Sequence, residues 1–131
     1  MANNMNVSLA LLGGNNVLDV DDNGGQNQFN KGAGAGTISW NLTGPLAQGN
    51  FLPVDGSPKG FEWVGAQPPD GTFGKPYVGS NGNSMNILDN NNVAGEWIYI
   101  LRVNYGGNVV ATQKTLPTGT ISDPVIINKG H

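Results

Sequence analysis

The chain has 131 residues, a formal charge of −3, no cysteine and one histidine, His131, at its last position. Leu, Ile, Val and Phe make up 32 residues, enough for a core and above the level, roughly 20%, below which chains tend to disorder. The same composition excludes a disulfide framework, a thiolate zinc site and a cysteine nucleophile, and six scattered Lys and Arg residues offer nucleic acid no basic patch.

The length is that of one domain, residues 1–131. Glu occurs only at Glu62 and Glu96, which leaves little material for exposed helix faces. Gly and Pro total 29 residues and Asn is abundant, so turns should be frequent. Alternation of apolar and polar residues recurs along the chain, whereas helical spacing does not persist for three turns anywhere.

Residues 6–12 and 17–20 read as strands separated by Gly13-Gly14-Asn15-Asn16. The second runs into Asp19-Val20-Asp21-Asp22-Asn23-Gly24, which matches the opening of a calcium loop, D-x-D-x-N-G. Ca²⁺ takes about six to eight oxygens, and alternate side chains of a tight loop can converge on it. An EF-hand is excluded, because its twelfth position would be Asn30 rather than a bidentate Glu and no helices flank the loop. What remains is a looser candidate cage for Ca²⁺ made by Asp19, Asp21 and Asn23, set against a plain turn at Asn23-Gly24.

Gly32-Ala33-Gly34-Ala35-Gly36 reads as a loop, with no Lys-Ser/Thr and no helix after it to cradle a phosphate. Gly36 to Leu42 then alternates cleanly, with Ile38, Trp40 and Leu42 on one face. Short strands follow at Phe61 to Val64, at Tyr77-Val78 and, after the turn dipeptide Asn81-Gly82, at residues 84–88. Residues 96–105 form the clearest strand, with Trp97, Tyr99, Leu101, Val103 and Tyr105 inward and Ile98, Ile100, Arg102 and Asn104 outward. Gly106-Gly107 is a type I′ hairpin signal leading into residues 108–115, and Val125 to Asn128 closes the series after Pro124. The prediction is an all-β chain: an immunoglobulin-like β-sandwich of eight or nine short antiparallel strands, with a closed barrel as the alternative. Gly95-x-Trp97-x-Tyr99 supports the sandwich, since it places an aromatic just after a tight corner and Tyr99 where immunoglobulins keep a Cys.

The stretch Ser122-Asp123-Pro124-Val125-Ile126-Ile127-Asn128 resembles the closing strand of small bacterial β-sandwich proteins of the DP-EP family, in which an Asp-Pro pair precedes an Ile-rich final strand ending in Asn. Residues 95–103 are similar in style to their penultimate region. The resemblance covers about a quarter of the chain, and implies a β-sandwich and no activity.

For chemistry, a terminal His131 is poorly placed to serve a triad, which needs a histidine oriented by packing. Asp55, Glu62, Asp70 and Glu96 are available as paired carboxylates, but alternation turns both glutamates outward and nothing brings them within working distance. The expectation is therefore a non-enzymatic module for binding or self-assembly, a homo-oligomer formed through unpaired strand edges and the outward pair Ile98 and Ile100. The alternative is a lectin-like protein for a neutral carbohydrate, assisted by Ca²⁺. It would use one of Trp40, Trp63 and Trp97 beside the Asn-rich loops at Asn81, Asn83, Asn90, Asn91 and Asn92, although alternation favours a buried place for each tryptophan. No apolar run approaches the length, about 20 residues, of a membrane helix or forms a signal-peptide core, so no membrane partner is expected and the expected location is cytoplasmic.

Overall fold

The computed structural model describes residues 2–12, 14–21, 26–29, 34–65, 67–112 and 125–128. These residues are all-β: eleven strands and one short 3₁₀ turn, Gly44–Gln48. The strands are β1 (Ala2–Leu12), β2 (Asn15–Asp21), β3 (Gln26–Phe29), β4 (Gly36–Leu42), β5 (Asn50–Phe51), β6 (Phe61–Val64), β7 (Tyr77–Val78), β8 (Ser84–Asp89), β9 (Gly95–Tyr105), β10 (Asn108–Ala111) and β11 (Val125–Asn128). The strands read from alternation are present, while β3 and β5 are additions. Neither Gln-Asn-Gln-Phe nor Asn-Phe carries a two-residue period; each is a strand because a neighbour supplies the ladder.

The strands form two sheets. One has the order β2-β1-β4-β8-β7; in the other, β9 is flanked by β10, β11, β5 and β6, with β3 beyond β11. The expectation of wholly antiparallel strands is corrected, since β1 pairs with β4 and β3 with β11 in parallel. The chain makes the first of these pairs by leaving the first sheet after β2, passing through β3 in the second, and returning as β4. Parallel neighbours need such a crossover.

Strand β9 organises the second sheet. Ile98 faces Val64 of β6 across one edge and Val125 of β11 across the other, and Val103 likewise faces Phe51 of β5 and Val110 of β10. Each edge of β9 is thus covered by two short strands in succession. On the β5–β6 edge the chain leaves at Leu52 and returns at Gly60, held where Leu52 N–H donates to the Arg102 carbonyl and Arg102 N–H to the Gly60 carbonyl. Gly60 is required there, because a Cβ would run into the Leu52 carbonyl oxygen. At the far end of β9, Gly106 and Gly107 both have positive φ, 60° and 81°, as a type I′ turn demands.

Both sheets turn their apolar faces to one core. Met5, Val7, Leu18, Val20, Ile38, Trp40, Met85 and Ile87 come from the first sheet, and Phe51, Phe61, Tyr99, Leu101, Val103, Val110 and Ile126 from the second. Each fully buried aliphatic or aromatic side chain contributes about 1.5–3 kcal/mol. Trp40 and Tyr99 are both 0% exposed, and their polar atoms meet: the Trp40 indole N–H donates to the Tyr99 hydroxyl at 2.9 Å. The outward residues Ile98 and Ile100 are half-buried, and Asn104 is exposed. No helix among the described residues is long and apolar enough to cross a membrane.

Candidate functional site

Six aromatic rings run through the interior in contact: Trp97 on Phe73, Phe73 on Trp63, Trp63 on Phe61, and Phe61 on both Tyr99 and Trp40. Along this row the tryptophans differ in exposure. Trp40 is 0% exposed and Trp97 6% exposed, but Trp63 is only half-buried. The reason is position within the sheet. Trp40 lies on β4, which has a strand on either side, whereas Trp63 lies on β6 at the margin of the second sheet.

Trp63 lines a cleft of about 290 Å³ together with Phe61 and Glu62 of β6. Val54, Asp55 and Lys59, from the excursion between β5 and β6, form one wall, and Gln67, Lys75 and Pro76, from the chain after β6, form the other. The Lys75 ammonium meets the Asp55 carboxylate at 3.1 Å and so ties the two walls together. Glu62 is held by Arg102 of β9 at 2.8 Å, and the same guanidinium donates to the Lys59 carbonyl at 2.9 Å.

The backbone of β6 adds to this site. Antiparallel ladders alternate, so that every second residue directs its N–H and C=O to the partner strand. Gly60 bonds to Arg102, which puts Glu62 and Val64 in the ladder with β9 and turns the N–H and C=O of Phe61 and Trp63 away from it. These groups take no hydrogen bond from the described residues. The cleft therefore combines an aromatic surface, outward main-chain donors and acceptors, an amide at Gln67, the ammonium of Lys59, and two carboxylates already matched by Lys75 and Arg102.

A second cleft, of about 450 Å³, lies between Asn16 of β2 and the β9–β10 turn and is lined by Tyr105, Gly106, Asn108, Val109 and Val110. It is larger but contains no charged side chain, and its apolar lining is Tyr105 and two valines.

The predicted site residues fall elsewhere. Strand β2 runs through Asp21, with Asp19 opposite Ser8 and Asp21 opposite Asn6, so the two aspartates occupy a strand rather than the coil of a loop. Asn23 lies outside the described residues, and no group of three acidic or histidine side chains able to hold a metal occurs among those described. Of the four carboxylates considered for acid–base work, Asp55 and Glu62 line one cleft, while Glu96 is exposed near the start of β9.

The Asn-rich loops turn largely inward to their own backbone. Asn83 donates to the carbonyls of Ala47 and Gly49, and Asn90 and Asn92 both donate to that of Gly71. Asn91, at φ 53°, donates its main-chain N–H to Asp89 Oδ1 at 2.8 Å, and Asn128 of β11 donates its amide to the same oxygen at 3.1 Å. Asp89, 0% exposed at the end of β8, thereby joins the two sheets.

Reading the sequence missed the partnership of Asp55, Lys59, Gln67 and Lys75 around Trp63. The available signal was the length of the two strand-free stretches on either side of β6, since binding residues concentrate on loops carried by a rigid scaffold. In comparisons with known proteins, no family model matches the chain and no curated protein matches it.

Proposed function

We propose that this chain is a small non-enzymatic binding module built as an immunoglobulin-like sandwich, with its ligand face at the Trp63 cleft. One observation carries the reading: Trp63 alone of the three tryptophans keeps part of its surface open, and it does so in a concavity walled by two loops. Aromatic surface in a concave site with a few convergent polar groups is the usual make-up of a ligand pocket, and the volume lies near the lower end of the range, roughly 300–1,000 Å³, that such pockets occupy. The finer fold reading rests on the Gly95-x-Trp97-x-Tyr99 corner and on Tyr99, which holds Trp40 of the facing sheet where an immunoglobulin would carry its disulfide partner.

Binding is better supported than self-association. Among the described residues, the exposed large apolar side chains, Tyr77, Leu88 and Val109, are divided between the two sheets and form no single patch. A fragment screen of neutral polyols, amino acids and dipeptides, followed by ¹H–¹⁵N correlation spectra, tests the reading. The backbone amides of residues 61–63 and the Trp63 indole should shift, while the Trp40 and Trp97 indoles stay still. Shifts confined to the cleft at Asn16 and Val109, or none at all, would refute it.

A further inference from the structure

Resting on that reading of the cleft, we infer that its ligand carries one carboxylate beside an amide and an apolar group, the chemistry shared by an acylated amino acid and the last residue of a peptide chain. The charge of the walls selects it. Lys59 and Lys75 line the cleft with Asp55 and Glu62, and Arg102 reaches Glu62 from β9. Lys75 takes Asp55 and Arg102 takes Glu62, while the Lys59 ammonium has no carboxylate partner among the described residues. The one charge left unmatched is positive. The described residues hold seven Asp or Glu and three Lys or Arg, and all three cations stand at this cleft, so among them positive charge exceeds negative only here.

The main chain of Lys59 is held in place. Its carbonyl accepts from the Arg102 guanidinium at 2.9 Å, and the carbonyl of the next residue, Gly60, accepts from Arg102 N–H, so the root of the side chain is fixed at the entry to β6. Its exposed ammonium has three donors and no acceptor, which a carboxylate meets and a second ammonium cannot. A ligand with a single negative charge balances the surplus. A phosphate monoester, at roughly −1.5 to −2, would leave part of its charge facing Asp55 and Glu62. An uncharged ligand leaves Lys59 to water, and a cationic one meets Lys59 with both carboxylates already taken.

The rest of the ligand follows from what else the cleft leaves open. The N–H and C=O of Trp63 face away from β9 and take no bond from the described residues. A secondary amide in the ligand brings one acceptor and one donor to meet them, and the exposed amide of Gln67 offers a second such pair. The part-exposed indole of Trp63 receives the apolar group. A chain end also fits the shape. The middle of an added strand would have to pass between walls that the Lys75–Asp55 pair ties together, whereas an end enters from one side, and the cleft volume of about 290 Å³ suits a short ligand.

The test uses the full chain and isothermal titration with four matched sets of probes: N-acetylleucine and N-acetylphenylalanine as free acids, their uncharged primary amides, the cationic amides of the unacetylated amino acids, and acetylated pentapeptides ending in the same residues with a free carboxylate. The acids should bind about threefold to fivefold more tightly than the uncharged amides, the value of one exposed ion pair, and added salt should narrow the gap. Lys59→Gln should bring the acids down to the affinity of the amides and leave that of the amides unchanged. Trp63→Ala should weaken both about tenfold, the value of one ring contact. Because Trp63 also packs between Phe61 and Phe73, the exposed Lys59→Gln variant, with an unchanged circular dichroism spectrum, is the decisive one. With that preference present and lost in Lys59→Gln, peptides that match or exceed the acids identify a chain end as the source, and weaker peptides a free acylated amino acid. Uncharged or cationic amides binding as tightly as the acids, still weakened by Trp63→Ala, would overturn the ligand class and leave the cleft as the site. A preference for the acids that survives Lys59→Gln would overturn it too, since the unmatched ammonium would not be what selects the ligand. Binding indifferent to both variants, or no binding in any set, would overturn the site as well.

Discussion

Two regions of this molecule combine carboxylates with aromatic rings, and they are put to opposite uses. At the Asp89 end the carboxylate is sealed, accepts from Asn91 and Asn128, and has Phe73 as its strand neighbour. At the Trp63 flank the carboxylates of Asp55 and Glu62 stand open, and their partners are surface cations. Burial makes the difference. A carboxylate away from water must be satisfied by the protein itself and so becomes a cross-link between sheets, whereas one at the surface costs little to hold and leaves the groups around it free to meet a ligand.

The largest expected effect therefore lies at the sealed end. Asp89→Ala should remove about 3–4 kcal/mol of stability in urea denaturation, because the hydrogen bonds that Asn91 and Asn128 donate to a buried carboxyl group are lost and their donors are stranded. Asp55→Ala, measured alongside, should change stability by less than about 0.5 kcal/mol, as exposed pairs do. Equal costs at the two positions would erase the contrast.

Gly60→Ala comes next, at about 2–3 kcal/mol, since the added methyl must push the chain off the Leu52 carbonyl and re-space β5 and β6 along β9. It should also widen the Trp63 cleft and speed amide hydrogen exchange at residues 61–63. A neutral result would mean that the excursion between the two strands is not pinned at Gly60.

Trp40→Phe should cost about 1–2 kcal/mol, because the Tyr99 hydroxyl then loses its indole donor inside the core. Trp63→Phe removes no hydrogen bond supplied by the described residues and should cost less than Trp40→Phe in the same thermal melts. The reverse order would show that Trp63 belongs to the core rather than to the cleft.

The smallest effect is that of Glu62→Gln. Its bond to Arg102 is half exposed, and losing the charge should cost about 0.5–1 kcal/mol at low salt and less at high salt. A cost unchanged between low and high salt would place Glu62 among the buried groups and bring the two regions closer together.

Much of the scaffold was legible because a half-buried strand announces itself by alternation. Ile38, Trp40 and Leu42, or Trp97, Tyr99, Leu101 and Val103, could hardly face any way but inward. Strands β3 and β5 escaped notice because their pairing is imposed by β11 and β9, not by their own residues. The parallel pair of β1 and β4 is a property of chain routing, which local pattern does not carry. At the site the limit was sharper. Alternation puts Trp40 and Trp63 on inward faces alike, and only their places within a sheet decide which keeps an open surface. Likewise an asparagine in a loop reads the same whether its amide meets a ligand or, as at Asn83 and Asn90, a carbonyl of its own chain. Asp55 and Lys75, far apart in sequence, meet because both strand-free stretches border β6.

The account turns on one tryptophan being open and two being closed, and hydrogen exchange of the three indole N–H groups reads that directly. Transferred into D₂O, the native protein should lose the Trp63 indole proton first and fast, while the Trp40 proton, donated to Tyr99 within the core, should persist until the fold opens. A Trp63 indole protected as long as that of Trp40 would contradict the cleft, and with it the ligand face proposed for this chain.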